Sequence, residues 1–392
     1  MAEYKTSLYP HQPIICSNKV SLNTSLNSNT VEWCPIDSQS NLLLCGTYSL
    51  DTGFNRYGNL ELYGWVTNGS FALLNRHDEG AGVLDLKWLP LSFFGNIFYV
   101  VNSIGQLNVY SIDCALFEIK KIQCLQVCDK SDGSELCLSF DWVSNEDRSI
   151  ILSDSVGRLA FMDCCDTGEL VCKSQWKAHD YEVWITSRDN WNKDVVFSGG
   201  DDNKLRGWDL RLAGSASGCV FTSSRHVTGV CAIQSHPLRE HLLATGSFDE
   251  TLLIWDTRDM SKPLNRVQIE DGGIWRLKWH HSDPNLLLAA CTRAGAAVFD
   301  FTVSLSMPSV TWYREHQSLV YGVDWRRGEY KSESNSDVDQ MLNQFGDMSM
   351  DTAATHGGNA IQYSSDVVNY QIASCSFYDR SLHIWSIDRY RI

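Results

Sequence analysis

The chain has 392 residues, 43% of them hydrophobic, and a formal net charge of −15 at pH 7, which argues against a nucleic-acid backbone or an anionic membrane as its main partner. No apolar run reaches membrane-spanning length, and the opening MAEYKTSLYPHQP has no secretory pattern. Most of the 14 Cys are scattered singly, and the two groupings, Cys124/Cys128 and the adjacent Cys164-Cys165, lack CxxC or zinc-finger spacing, so they read as reduced thiols without a metal, favouring cytosol or nucleus, with the cytoplasm expected.

Taken in chain order, the sequence repeats. The segment before Trp33, around TSLYPHQPIICS, stands outside the repeat. Each unit then opens on a strand that tends to end in Trp: TVEWCP (Trp33), GVLDLKW (Trp88), LCLSFDW (Trp142), GIWRLKW (Trp279) and LVYGVDW (Trp325). The fourth and fifth units end theirs in SRDNW (Trp191) and AIQSHP. A middle strand follows in every unit, as in NLLLCGT, DVVFSGG and HLLATGS. The next strand ends on Tyr63, Tyr110, Met162, Trp208, Trp255, Phe299 or Trp385, at steps of 47, 52, 46, 47, 44 and 86. Short alternating strands at a period of about 40 to 50 predict an all-β fold, a seven-bladed WD-repeat β-propeller over 1–392. The N-terminal segment is expected to close the ring as the outer strand of the last blade. The doubled final step places an insertion at 328–368. It is acidic and aromatic-poor, and is expected to be a disordered loop between the first two strands of blade seven.

Some polar residues belong to the fold. Asp202, Asp249 and Asp379 each stand six residues before a strand Trp, at turns, and His179, His226 and His316 each stand four before a strand Val. Buried polar groups that satisfy one another are the expected role of these six. A second set is not needed by the blades: Asp201, Glu182, Glu250, Trp184, Phe248, Trp275, Arg276, Tyr321 and Tyr378. These lie in or near turns on one face of blades four to seven, and are expected to converge on one rim of the channel. Asp201, Phe248 and Tyr378 each precede a turn Asp, so they are expected to be equivalent. Blades one to three show no such cluster. There is no GxSxG, HExxH, GxxxxGK[ST] or GxGxxG that follows a strand.

The strings AHDYEVW, FSGGDDNKLRGWDLR, HLLATGSFDETLLIWDTR, DGGIWRLKWH, LVYGVDW and ASCSFYDRSLHIW, with the early EWCP and LLLCGTYSLD, resemble the diphthine methylesterase family. That family is also called diphthamide biosynthesis protein seven, and has been labelled a diphthine methyltransferase. The resemblance covers most of the chain and is densest from His179 to Trp385. It implies hydrolysis of the methyl ester of methylated diphthine on translation elongation factor two; no cofactor is expected, and the chain is expected to be a monomer. A quaternary ammonium favours aromatic faces and carboxylates, which nominates Trp184, Phe248, Trp275, Tyr321, Tyr378 and Glu250 for binding. For the hydrolysis, Glu182 or Asp201 would activate water. Arg276, or the backbone of Gly272 and Gly273, would stabilise the oxyanion. His179 or His226 would serve as base only if released from its turn Asp. A competing class is a non-catalytic scaffold or a substrate receptor of a cullin-type ubiquitin ligase. WDLR (208–211) and WDTR (255–258) match the WDxR signature of such receptors, and would place Arg211 and Arg258 on the opposite face.

Overall fold

Alternating apolar strands with small or acidic turns close here into a ring. The computed structural model describes residues 15–89, 96–128, 135–143, 148–164, 169–212, 218–328 and 367–390. It contains seven four-stranded antiparallel sheets and one two-stranded hairpin. The inner strands are Ser28–Trp33, Val83–Trp88, Cys137–Trp142, Val183–Arg188, Val230–Ser235, Arg276–Trp279 and Val320–Trp325. Each touches the next around the ring, and the last touches the first. The fold is the expected seven-bladed propeller. In blade four the inner strand ends at Arg188, so Trp191 lies beyond it and donates its Nε1–H to the His236 carbonyl at 2.9 Å.

Ile15–Asn23 pairs antiparallel with Ser381–Tyr390 as the outer strand of blade seven. The ring closes as expected, by a segment a few residues later than TSLYPHQPIICS. The 328–368 insertion falls between Val320–Trp325 and Val367–Ser376, the first two strands of that blade. The expectation of disorder there concerns 329–366, which lie outside the described residues.

Three blades carry the same buried relay. His179 Nε2 meets Ser198 Oγ at 2.7 Å, and Trp208 Nε1–H donates to that oxygen at 2.8 Å. Blade five repeats this with His226, Thr245 and Trp255, and blade seven with His316, Ser374 and Trp385. On its other side, His179 Nδ1 meets Asp202 at 2.8 Å and His226 Nδ1 meets Asp249 at 3.1 Å. In blade seven, Ser381 stands between: His316 Nδ1 is 2.6 Å from its Oγ, which donates to Asp379 at 3.1 Å. Each relay ties a loop, a turn and two strands together, and breaking it would orphan buried donors at about 1–3 kcal/mol apiece.

The inner strands share two further devices. The ladder to the second strand shifts register at Asn29, Leu84, Leu138, Trp184, Cys231 and Tyr321. Each stands four residues before the strand's last residue, and Trp275 holds that position in blade six. Near the far end of the channel, carboxylates stitch several blades to the next. Asp324 accepts the Trp33 N–H at 2.8 Å, Asp141 accepts that of Arg188 at 2.9 Å, and Glu32 accepts that of Trp88 at 3.3 Å.

Candidate functional site: an aromatic arc ending in a carboxylate

A bulge inserts one residue into a strand and re-aims its side chain. Here the bulge positions ring one mouth of the channel, and three of them are aromatic. Trp184 and Trp275 are 5.7 Å apart between ring centroids, and Trp275 and Tyr321 are 5.0 Å apart. Cys231, at the bulge between the two Trp, is small and buried, so the indoles meet across it. A second tier comes from the turns after the second strands. Phe248 packs on Trp275 at 5.4 Å, Phe377 on Tyr321 at 5.3 Å, and Tyr48 on Phe377 at 5.9 Å. The arc runs from blade four through blade seven into blade one. Blades one to three are expected to show no comparable cluster; blade one adds a single ring, Tyr48.

Asp201 ends this arc. Its N–H donates to the Glu182 carbonyl at 2.8 Å, and its Oδ1 accepts the Trp184 indole N–H at 2.9 Å. Gly229 leaves room for it, since a Cβ there would stand 2.7 Å from Oδ1. Asp201 is exposed, so it offers an oriented carboxylate to solvent beside two indoles. Its neighbour does the opposite. Burial raises the Asp202 carboxyl, but bonds from His179 and from the N–H groups of Asp180 and Lys204 outweigh that and hold it down at about 2. Asp202 secures the turn, and Asp201 is free of that duty.

The expected equivalence of Asp201, Phe248 and Tyr378 needs correction. The Asp201 N–H donates to the residue just before the inner strand, Glu182. Phe248 makes the same bond to Gly229 at 3.2 Å, and in blade seven the donor to Leu319 is Phe377, at 2.9 Å. Each turn then reaches a left-handed residue: Asn203 (φ 62°), Glu250 (φ 63°) and Arg380 (φ 54°). From Ser198 to Asn203 and from Thr245 to Glu250 the spacing is the same, but from Ser374 to Arg380 it is one residue longer. Tyr378 is that extra residue. It leans on Phe377 at 5.0 Å and is 68% exposed. Counting back from Trp385 hid the insertion and missed Phe377; counting forward from Ser374 finds both.

The remaining candidates separate. Glu182 shares the rim with Asp201. Glu250 takes the left-handed turn position, where the equivalent Asn203 and Arg380 reach to the following blade, at the Val227 carbonyl and Asn27 Oδ1. Arg276 is expected at the rim, yet its guanidinium lies inside the channel, 3.5 Å from buried Asp85. Trp275 stands just before the inner strand, where it joins the aromatic stack, while Arg276, the first residue of the strand, turns to the interior. His179 and His226 are 1% and 3% exposed with both ring nitrogens engaged, so neither is released. Gly273 is packing space, since a Cβ would meet the Phe248 ring at 2.7 Å.

A cavity of about 240 Å³ occupies the opposite end of the channel, lined by Glu32, Lys87, Asp141, Arg188, Lys278 and Asp324 among others. Its charges are largely committed: Lys278 sits 3.4 Å from Asp324 and 3.6 Å from Glu32, and the carboxylates hold neighbouring blades. Its polar groups face one another. The rim is therefore the better candidate, because its carboxylate and ring faces point to solvent. On the far face, Arg211 and Arg258 pair with Asp209 and Asp256 at 2.6 Å and are each 68% exposed.

Comparison with known proteins fits this geometry. A family model described as "WD domain, G-beta repeat" matches residues 217–256, within blade five and its approach. A mouse protein named diphthine methyltransferase is 37% identical over 78% of this chain and 68% of its own length. The human protein of that name is 36% identical over 79% and 75%. A homolog so named from Dictyostelium discoideum is 31% identical over 91% and 96%.

Proposed function

The chain belongs to the diphthine methyltransferase family, and from that membership we propose that it acts in diphthamide biosynthesis, hydrolysing the methyl ester of methylated diphthine on translation elongation factor two. The observation that carries this reading is the aromatic arc closed by Asp201. A quaternary ammonium binds to ring faces at about 0.5–2 kcal/mol each, more when desolvated. Trp184, Trp275, Tyr321 and the exposed Phe248 form such a wall, with Phe377 packed behind Tyr321.

Hydrolysis needs a held ester, a water and a base. Asp201, fixed by Trp184, takes the proton of the attacking water, with Glu182 adjacent. The water oxygen bonds to the ester carbonyl carbon, the tetrahedral oxyanion collapses, and methoxide leaves as methanol after taking a proton. The product is a carboxylate on the diphthine side chain. Methyl transfer would instead need a donor site. The test is methanol release from elongation factor two carrying the methyl ester, with wild type and Asp201→Asn. Turnover by wild type that collapses in the variant supports the reading.

A second reading rests on the opposite face. Propellers commonly serve protein–protein interaction, and Arg211 and Arg258 present the WDxR pattern there. As a scaffold or ubiquitin-ligase receptor, the protein would co-purify with a ligase adaptor and release no methanol. Free thiols at the described cysteines fit a reducing compartment, and we place the protein in the cytoplasm as a monomer.

A further inference from the structure

The turn after the second strand is short in most blades: residues 103–105, 155–157, 201–204, 248–250 and 377–380. In blade one it spans 48–58 and forms its own hairpin, Ser49–Leu50 paired with Arg56–Tyr57. The blade does not need it: Leu50 is 49% exposed, Tyr57 38% and Phe54, at the tip, 82%. The tip is built to hold its shape. Asp51 Oδ1 accepts the N–H groups of Gly53 and Asn55 at 2.8 Å, Oδ2 accepts the Asn55 amide at 2.9 Å, and Phe54 adopts φ 62°. An ordered turn that displays a Phe so exposed gains nothing for folding and leaves apolar surface in water.

The hairpin is continuous with the candidate site. Its first residue, Tyr48, packs on Phe377 of the arc, and Arg56 Nε–H donates to the Tyr48 hydroxyl at 3.3 Å. On the same face, the exposed Tyr181, Val227, Phe248 and Tyr378 add apolar contacts around the channel mouth. A single modified side chain seated in the arc would cover none of the hairpin.

We propose that the 48–58 hairpin is a docking element for the protein that carries the modified side chain, with Phe54 as the anchor that inserts into an apolar pocket of that protein beside the target residue. The inference rests on the reading above and extends it from the side chain to the macromolecule. Phe54 touches nothing in the reaction, so its role is to bring the substrate protein to the arc.

The experiment measures binding and turnover separately, with purified protein and elongation factor two taken from cells lacking it. For Phe54→Ser, and for a second variant with Asp51→Ala to loosen the tip, the expected result is a Kd weaker by roughly tenfold, typical of an aromatic interface anchor, with kcat at saturation and melting temperature unchanged. An unchanged Kd in Phe54→Ser overturns the inference, as does wild type that fails to bind the factor. Binding that depends on Phe54 without methanol release keeps the docking element and overturns the reaction instead.

Discussion

Trp184 and Asp201, 17 residues apart in sequence, meet through one hydrogen bond of 2.9 Å from the indole Nε1–H to Oδ1. The bulge that turns Trp184 to the mouth thereby also fixes the carboxylate. The arc and the acid form one unit, so a change in either is felt by both.

Trp184→Phe keeps a ring at the bulge and deletes the donor. A hydrogen bond to a charged group contributes about 1.5–3 kcal/mol. We expect kcat/KM to fall about tenfold or more, with thermal stability little altered because the bond is at the surface. Steady-state assay of the folded variant checks this; unchanged kcat/KM would show that Asp201 needs no positioning.

Gly229→Ala acts on the same carboxylate from the other side. Its Cβ would stand 2.7 Å from Asp201 Oδ1, the free end of a side chain that can swing away. The expected outcome is lost turnover with a melting temperature within a few degrees of wild type. Loss of both together would mark the residue as a fold requirement.

Trp275→Ala removes the ring that Trp184, Phe248 and Tyr321 all touch. Losing one cation–π partner costs about 0.5–2 kcal/mol, so KM for the quaternary substrate rises roughly three- to thirtyfold. Competition by a soluble trimethylammonium compound should weaken in parallel. A variant that binds such a compound as well as wild type does would remove the arc from recognition.

His179→Ala separates structure from chemistry. The His179, Ser198 and Trp208 relay resembles a nucleophile and base by distance alone, but all three are buried and the serine also accepts the indole N–H. We expect a loss of about 1–3 kcal/mol of stability and near-normal kcat per folded molecule. A folded variant with no turnover would return His179 to the list of bases.

Acid sensitivity follows from buried imidazoles. Burial, aided by neighbouring positive charge, lowers His236 and His281 to about 4 and His280 and His316 to about 3. An unfolded His titrates near 6.5, so below that pH the unfolded chain binds protons that the folded chain refuses. Stability falls as pH drops from about 6.5 toward 4. Asp202, held at about 2, adds a further loss once pH falls below about 4. Glu32 works the other way: burial raises it to about 7 despite nearby Lys278, so its stabilising share is lost as pH rises from about 4.3 to 7. Four imidazoles outweigh one carboxyl, so melting temperature declines between pH 7 and pH 5. A flat or rising profile would contradict this.

The repeat was legible because blade chemistry recurs in sequence: the relay His and turn Asp of blades four and five stand at fixed distances from their Trp. Membership of the rim was legible for Trp184, Trp275, Tyr321 and Asp201, because turns on one face must converge when blades close a ring. Orientation was not. Trp275 and Arg276 are neighbours that part where the inner strand begins, one joining the ring stack and the other pairing with Asp85, and that start is set by the pairing of two strands. Tyr378 and Phe377 exchanged places because one inserted residue leaves the Asp–Trp spacing intact. Asp85, which draws Arg276 inward, lies four blades away and carries no local signal.

The most direct measurement of the account is stoichiometric. Elongation factor two carrying the methyl ester, incubated with purified protein alone, is predicted to release one methanol per factor and gain one carboxylate, with Asp201→Asn slower by about a hundredfold or more. No methanol from wild type, or undiminished release by a folded Asp201→Asn, would contradict a hydrolase built on this rim.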